Sequence, residues 1–145
     1  MTTGLTDSSN AYRGEYPFCE NETQAIKLFI ETHHITISLS YHSSGELVLY
    51  PWGYTKNPPK DKPIFVSIGE NISKLDNYTL TQSVNMYPTI GDYCDWGYGT
   101  HGIFCYTIEL GTVDAGTSDP QELLEMCSDH VNVNLYVWQR AQLLK

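Results

Sequence analysis

The sequence predicts an α/β fold in which helices pack on a β-sheet. Three observations support this prediction. Segments with helical periodicity alternate with short apolar segments that are typical of strands. Hydrophobic residues make up 41% of the 145 residues and charged residues only 17%, which is enough apolar side chain for a globular core. Eleven tyrosines and three tryptophans also favour a packed fold that contains strands.

The first part of the chain is predicted to contain a loose segment, a helix and two strands. Residues 1–11 are polar and rich in Ser and Thr, so we expect them to be loose, and we expect the folded part to span residues 12–145. HITISLS (34–40) and GELVLYP (45–51) predict strands. ENETQAIKLFIETHH (20–34) predicts a helix with an apolar face formed by Ala25, Ile26, Phe29 and Ile30.

The middle of the chain is predicted to contain a helix, two strands and a long loop. Apolar residues recur at helical spacing over residues 63–76, which predicts a helix. Residues 78–83 predict a short strand, and the apolar segment GIFCYTIELG (102–111) predicts a buried strand. The intervening residues 85–102 are rich in glycine and aromatic residues, and for a long loop this composition suggests a functional role.

The end of the chain carries a clear signal for the start of a terminal helix. Asp119 is a suitable N-cap, Pro120 stands at the first helical position, and Glu122 completes a capping box. The apolar residues that follow continue with helical spacing to the end of the chain. We therefore predict a long C-terminal helix.

The composition excludes some classes of function. A net charge of −9 argues against nucleic acid as a partner, because binding phosphates needs clustered Lys and Arg. No segment is long and apolar enough to span a membrane, and the first residues lack the basic and apolar regions of a signal peptide. We therefore expect neither a nucleic acid nor a membrane as partner, and we leave the compartment open.

The four cysteines do not form a CxxC motif, so the spacing gives no metal or redox signature. They are Cys19, Cys94, Cys105 and Cys127. Buried free thiols are the expected state, and a single disulfide is the alternative, which geometry has to decide.

Two residues at predicted strand ends are candidates for chemistry. His42 follows the strand that ends near residue 40, and it is either a hydrogen-bonded structural histidine or a metal ligand. Glu109 ends an otherwise apolar strand, where a carboxylate needs a partner, hydration or a proton. A salt bridge is one explanation, and a role as proton acceptor beside a metal-bound water is the other. His33 and His34 are expected at the exposed end of the first helix.

Three segments resemble the carboxypeptidase A family of zinc carboxypeptidases. SYHSSGELVLYPWGYT (40–55) resembles the family's strand and loop, in which His-Ser precedes an apolar run and a turn with the pattern YP-aromatic-G-Y. NMYPTIGDYCDWGYGTHGIFCYTIELG (85–111) resembles its tyrosine loop, the DW helix start and the last catalytic strand. YRGEYPFCENET (12–23) resembles the segment before the preceding helix. The order is that of the family, and the resemblance covers nearly all of residues 12–145.

The resemblance implies a fold and an activity. The fold would be a partial mixed β-sheet with helices packed on it, corresponding to the C-terminal half of a zinc carboxypeptidase catalytic domain. The activity would be the zinc-dependent removal of C-terminal amino acids from peptides. His42 matches a zinc ligand of the family, and Glu109 matches the general base toward the zinc-bound water.

The resemblance also implies a set of substrate-binding residues. Tyr87 matches the mobile tyrosine that hydrogen-bonds the substrate's terminal carboxylate, and Ser43 matches a position whose backbone contacts the substrate. Cys94 matches a position that lines the pocket for the C-terminal side chain, where a small neutral residue suggests apolar or aromatic substrates. Asp92 is a possible negative wall of the same pocket.

Part of the family's machinery is missing from this sequence. Members supply two zinc ligands from an H-x-x-E motif, and no H-x-x-E occurs among these residues, although a catalytic zinc needs three protein ligands. The two other ligands are therefore expected from a missing upstream half, whose absence would leave a sheet edge and apolar surface uncovered. The resemblance further implies cis peptide bonds at Ser43–Ser44 and Pro51–Trp52.

Two alternatives to an active peptidase remain open at this point. The first is an inactive remnant that has lost a complete zinc site and acts as a structural or binding module. The second is a tyrosine-rich carbohydrate-binding module, against which the capped C-terminal helix argues, because such a module would be all-β.

Overall fold

The computed structural model describes residues 14–112 and 119–144, so the predicted loose segment 1–11 lies outside the described residues. Helices and strands alternate within this part of the chain. In chain order they are α1 (Asn21–Thr32), β1 (Ile37–His42), β2 (Leu47–Tyr50), α2 (Lys62–Asp76), β3 (Thr79–Gln82), α3 (Tyr93–His101), β4 (Phe104–Glu109) and α4 (Pro120–Gln142). None of these helices is long and apolar enough to cross a membrane.

The four described strands form one mixed sheet in the order β1-β4-β2-β3. The pairs β1–β4 and β2–β3 are parallel, and β2–β4 is antiparallel. The predicted mixed α/β architecture is therefore confirmed. Because β4 is the last strand in sequence but lies between β1 and β2, it joins segments that are distant along the chain.

Alternation along β4 separates the core from the candidate site. Phe104, Tyr106 and Ile108 point to the larger apolar cluster, which α2 and α4 cover. The residues between them point to the opposite face, because successive side chains of a strand alternate. Cys105 joins a smaller cluster on that face, and Glu109 lies at its end. The alternation puts the carboxylate on the opposite face of the sheet from the larger apolar cluster.

The larger core is built around Phe65 of α2, which is fully buried. Its ring contacts those of Tyr50, Tyr98, Phe104 and Tyr106 at centroid distances of 4.9 to 5.9 Å. The hydroxyl of Tyr106 donates a hydrogen bond to the Phe65 carbonyl (2.9 Å), so this buried polar group is satisfied. Among the described tyrosines, Tyr50, Tyr98 and Tyr106 are buried in this core, whereas others, such as Tyr54 and Tyr87, are exposed.

The N-cap and the first-position proline predicted for the terminal helix are confirmed. The Asp119 carboxylate accepts the backbone N–H of Gln121 (2.9 Å), and Pro120 is the first residue of α4. The helix predicted over residues 63–76 is α2, which ends where Asn77 adopts a left-handed conformation with φ of 60°. These ends follow from local chemistry, because a cap needs only neighbouring residues.

The interpretation of residues 85–102 as one long loop is wrong for the second half, where α3 lies, and the helix start at DW that the resemblance implies falls in the first turn of α3. The Asp92 carboxylate accepts the backbone N–H of Asp95 (3.0 Å) and so caps the helix at its start. At the other end Gly102, with φ of 70°, takes the left-handed conformation that glycine adopts without steric cost. The glycine-rich composition indicated a loop, but the segment contains a short helix with a cap at each end.

The predicted apolar face of α1 is largely uncovered. Only Ile30 is buried, while Ile26 is 50% and Phe29 is 51% exposed. The outer face of α4 is also apolar, and it exposes Leu124, Val131, Leu135 and Trp138. Exposed apolar surfaces of this kind are typical of faces that another polypeptide segment covers. The predicted exposure at the end of α1 is confirmed, since both His33 and His34 are exposed.

The expectation of four buried free thiols is wrong. Cys94 at the start of α3 and Cys105 in β4 form a disulfide, and both are buried. Their Cα atoms lie 4.9 Å apart, which is within the range for a disulfide, and only the folding of α3 onto β4 brings them together. The two other cysteines are free, and Cys127 is exposed. The predicted cis peptide bonds at Ser43–Ser44 and Pro51–Trp52 are confirmed.

Candidate active site

His42 and Glu109 are direct neighbours, although 67 positions (109 − 42) separate them in the sequence. They are the last residues of the parallel strands β1 and β4 and are paired in register. Paired residues of parallel strands present their side chains on the same face of the sheet. The backbone continues this alignment by one further hydrogen bond, from the Leu110 N–H to the His42 carbonyl (2.8 Å). The structure therefore brings the two residues together at one sheet end.

The two side chains differ in their exposure to solvent. Glu109 is only 6% exposed, while His42 is exposed. Burial raises the pKa of the Glu109 carboxyl above its ordinary value, and a charge on His42 opposes this effect. The imidazole is held by Ser40, whose hydroxyl oxygen lies 3.1 Å from His42 Nε2.

The alternative explanation of Glu109, a salt bridge to Lys or Arg, does not apply within residues 14–112 and 119–144. The ion pair found in this part of the chain joins Lys27 and Glu31 on the surface of α1. A buried carboxylate without a cationic side chain, but next to an imidazole, is typical of sites that move protons.

Both residues open into a small cavity of about 70 Å³ beside the sheet end. Its lining comes from β1, β2, β4 and the segment between β3 and α3. The lining residues are His42, Leu49, Ser83, Met86, Tyr87, Thr89, Asp92, Thr107 and Glu109. Ligand pockets usually have volumes of about 300 Å³ or more, so the cavity formed by the described residues is smaller than a usual ligand pocket.

The predicted substrate-binding residues lie at different distances from this cavity. Tyr87 and Asp92 line it, and the Tyr87 side chain is 55% exposed, so it is not packed down by the described residues. Ser43 follows His42 directly and is exposed, but it is not part of the lining. Cys94 is also outside the lining, because it is buried in its disulfide, 3.5 Å from the hydroxyl of Thr107.

Sequence reasoning missed Thr107, which lines the cavity two residues before Glu109. The alternation of the strand was an available signal, because residues 107 and 109 must share a face. It also missed Asp95, whose two carboxylate oxygens each accept the Gly53 N–H at 2.9 Å. The Gly53 carbonyl in turn accepts the N–H of Thr89 (3.0 Å) and so ties the cavity wall to the loop after β2.

The donor set of the described residues does not by itself fit a zinc ion. Catalytic zinc takes three protein ligands, and His42 is an imidazole of the usual type. No group of three or more His, Cys, Asp or Glu side chains in residues 14–112 and 119–144 is arranged to hold a metal. The arrangement can move protons at Glu109, but a metal site needs ligands from elsewhere.

Comparisons with known proteins identify relatives that match most of this chain. The model of the zinc carboxypeptidase family matches residues 3–131. Carboxypeptidase O of Bos taurus is 33% identical over 111 residues, which cover 70% of this chain and 30% of that protein. Carboxypeptidase B of Astacus astacus is 33% identical over 119 residues, which cover 74% of this chain and 39% of that protein.

A solved structure agrees with the fold. Bovine thrombin-activatable fibrinolysis inhibitor, in complex with tick carboxypeptidase inhibitor, superposes with a TM-score of 0.84 and 22% identity. The match covers 94% of this chain and 50% of that chain, so the predicted partial zinc carboxypeptidase fold is confirmed. The chain spans between about a third and a half of these relatives. On the evidence of the family model and these relatives, the chain belongs to the zinc carboxypeptidase family.

Proposed function

We propose that this chain forms part of the active site of a zinc-dependent carboxypeptidase, which hydrolyses C-terminal amino acids from peptides. The observation that supports this most is the pairing of His42 and Glu109 in register at the cavity. Family membership alone does not show that His42 and Glu109 are neighbours. Their pairing on parallel strands from two distant segments supports the proposal.

Glu109 is the proposed general base. Its carboxylate accepts a proton from the attacking water as the oxygen bonds to the scissile carbonyl carbon, and it later returns the proton to the leaving amine. Burial raises its pKa, which brings its proton affinity closer to what transfer at neutral pH needs. A charge on the neighbouring His42 opposes this rise of the pKa.

The exposed Tyr87 side chain and the backbone after His42 are the proposed contacts for the end of the substrate. Tyr87 is free to close over a peptide and hydrogen-bond its terminal carboxylate, and Ser43 offers its backbone beside the cavity. Cys94 supports the wall as half of a disulfide, which is neutral and does not titrate. Asp92 adds a carboxylate to the wall, so peptides ending in Phe and in Lys are both needed to define the preference.

Zinc, which the family implies, would need ligands beyond His42. We propose that a complementary N-terminal half of the family fold supplies them, because no suitable group of three exists in the described residues. Exposed apolar residues on α1 and α4, among them Phe29 and Trp138, are surfaces that such a partner would cover. The lack of a complete ligand set equally favours a second candidate, an inactive remnant that binds partners without catalysis.

Complementation separates the two candidates. The chain is mixed or fused with the N-terminal half of a related carboxypeptidase, and release of Phe or Lys from a short peptide is measured with and without zinc. An active enzyme predicts zinc-dependent release that neither half gives alone. Glu109→Gln should then lower kcat about 10²- to 10⁴-fold, because proton transfer by a positioned side chain contributes that much.

The matched control for this variant is Glu70→Gln. It makes the same chemical change at an exposed residue of α2, outside the lining of the cavity. Its rate should stay within about twofold of the unmodified chain. A correctly folded complex that binds zinc and releases no amino acid would contradict the peptidase and leave the remnant.

A further inference from the structure

The backbone just beyond His42 and Glu109 is held by hydrogen bonds that do not belong to the strand ladder. The Gly111 carbonyl accepts the backbone N–H of Gly45 (2.7 Å) and the backbone N–H of Glu46 (3.1 Å). The turn after the histidine is therefore bound to the segment after the glutamate. Because both residues end their strands, these bonds fix the two ends relative to each other beyond the ladder.

Tyr78 anchors this junction from a third segment, between α2 and β3. Its hydroxyl accepts the Gly111 N–H (3.0 Å), and Gly111 itself is buried with φ of 65°. The neighbouring Thr79 N–H donates to the Glu46 carbonyl (2.9 Å), so the same segment also holds the turn after His42. One side chain thus satisfies the buried N–H on which the junction depends.

The Tyr78 ring is held in place by α2 and α4. Its backbone N–H donates to the carboxylate of Asp76 (2.9 Å), which ends α2. Its ring packs on His130 of α4, with centroids 5.5 Å apart, and Tyr41 packs on the same imidazole at the same distance. Since Tyr41 directly precedes His42, the imidazole of His130 links the two aromatic residues that flank the junction.

We propose that Tyr78 is a positioning residue for His42 and Glu109. It does not line the cavity, so it acts on the pair indirectly, chiefly through Gly111 and the turn that Gly111 binds. Without the hydroxyl, the Gly111 N–H would be buried without its acceptor, and the two strand ends would lose their common anchor. The importance of Tyr78 for hydrolysis rests on the proposed function, but its effect on the geometry of the strand ends does not.

Amide hydrogen exchange measured by NMR on the chain itself tests the proposal without any assay of activity. In the unmodified chain, the Gly111 amide should exchange as slowly as the amides within β4. In Tyr78→Phe, which removes only the hydroxyl, the Gly111 and Gly45 amides should exchange at least about tenfold faster, because one buried hydrogen bond is lost. The His42 imidazole resonances should also shift, while amides within α2 keep their rates.

Tyr54→Phe is the matched control, because it removes a hydroxyl from a tyrosine that is 52% exposed in the loop after β2. It should change none of these rates. Equal acceleration of all amides in Tyr78→Phe would overturn the proposal, since the hydroxyl would then act only on overall stability. Exchange at Gly111 in the unmodified chain as fast as at the exposed Gly91 would overturn it without any variant.

Discussion

In the described part of the chain, a histidine lies next to a buried carboxylate both at His42 with Glu109 and at His130 with Asp76, and the two places differ in almost every other respect. His42 and Glu109 lie at the open end of the sheet, where an exposed imidazole and a buried carboxylate line one cavity. His130 and Asp76 are both buried between α4 and the end of α2, at 7% and 6% exposure. Residue type alone would have ranked the two places equally.

The buried place is closed rather than open to a ligand. His130 Nδ1 donates to the Met126 carbonyl (2.8 Å), and its ring lies against the rings of Tyr41 and Tyr78. Burial raises the pKa of Asp76, while its own hydrogen bond with the Tyr78 N–H and a charge on His130 oppose the rise. The two places contain the same residue types. Access to solvent and a cavity beside the side chains distinguish the candidate site from the buried pair.

The largest expected difference between the two places is in stability. His130→Ala should lower the free energy of unfolding by about 2–3 kcal/mol, because it removes a buried ring together with its hydrogen bond and its aromatic contacts. His42→Ala should change it by less than about 0.5 kcal/mol, because that side chain is exposed. Urea unfolding of both variants measures this, and equal losses would break the distinction.

A third carboxylate, Asp95, sharpens the comparison through its pH dependence. Burial raises its pKa to about 6, with help from Asp92 and against the hydrogen bond from the Gly53 N–H. The folded chain therefore binds a proton that the unfolded chain has lost above about pH 4. Stability due to this group is present at low pH and falls as the pH rises through about 6.

As the pH rises, the free energy of unfolding is expected to fall by about 1 kcal/mol because of Asp95. The effect is this small because the carboxylate is only partly buried and solvent screens it. Asp95→Asn should remove this part of the slope of unfolding free energy between pH 4 and pH 7. Urea titrations at several pH values measure this slope for the variant and for the unmodified chain. Asp119→Asn, which changes an exposed carboxylate at the start of α4, is the control. If the free energy of unfolding has the same pH slope in the Asp95 variant and in the unmodified chain, the raised pKa of Asp95 is contradicted.

The smallest effect concerns the support of His42 by Ser40. Their side chains are 3.1 Å apart on an exposed part of β1, so Ser40→Ala should cost less than about 0.5 kcal/mol of stability. The nitrogen-15 spectrum of the His42 ring should nevertheless change, because its tautomer depends on the partner of Nε2. Ser44→Ala is a nearby control, and a His42 spectrum unchanged by Ser40→Ala would show that the hydroxyl does not hold the imidazole.

The sequence alone predicted the helices and strands whose ends depend on adjacent residues. Asp119 and Pro120 start α4 because a cap and a first-turn proline act within one helical turn. The glycine-rich composition indicated a loop where α3 lies, and only the resemblance implied a helix start there, although Asp92 caps α3 as Asp119 caps α4. The apolar face predicted for α1 was right in pattern but mostly uncovered in the fold, since periodicity does not say what will pack on it.

The candidate site was predicted by residue type and by resemblance, which together imply that His42 and Glu109 converge, and the structure confirms this convergence. The strand pairing that produces it was not predicted. Alternation in the printed sequence already puts Thr107 and Glu109 on one face of their strand. Only the parallel pairing of β1 with β4 decided that His42 faces the same cavity, because strand order depends on contacts between distant segments. The same holds for the disulfide of Cys94 with Cys105 and for the anchoring of Gly111 by Tyr78. Local sequence signals act over one helical turn or one strand. The meeting of residues from distant segments is fixed only when the whole sheet is assembled.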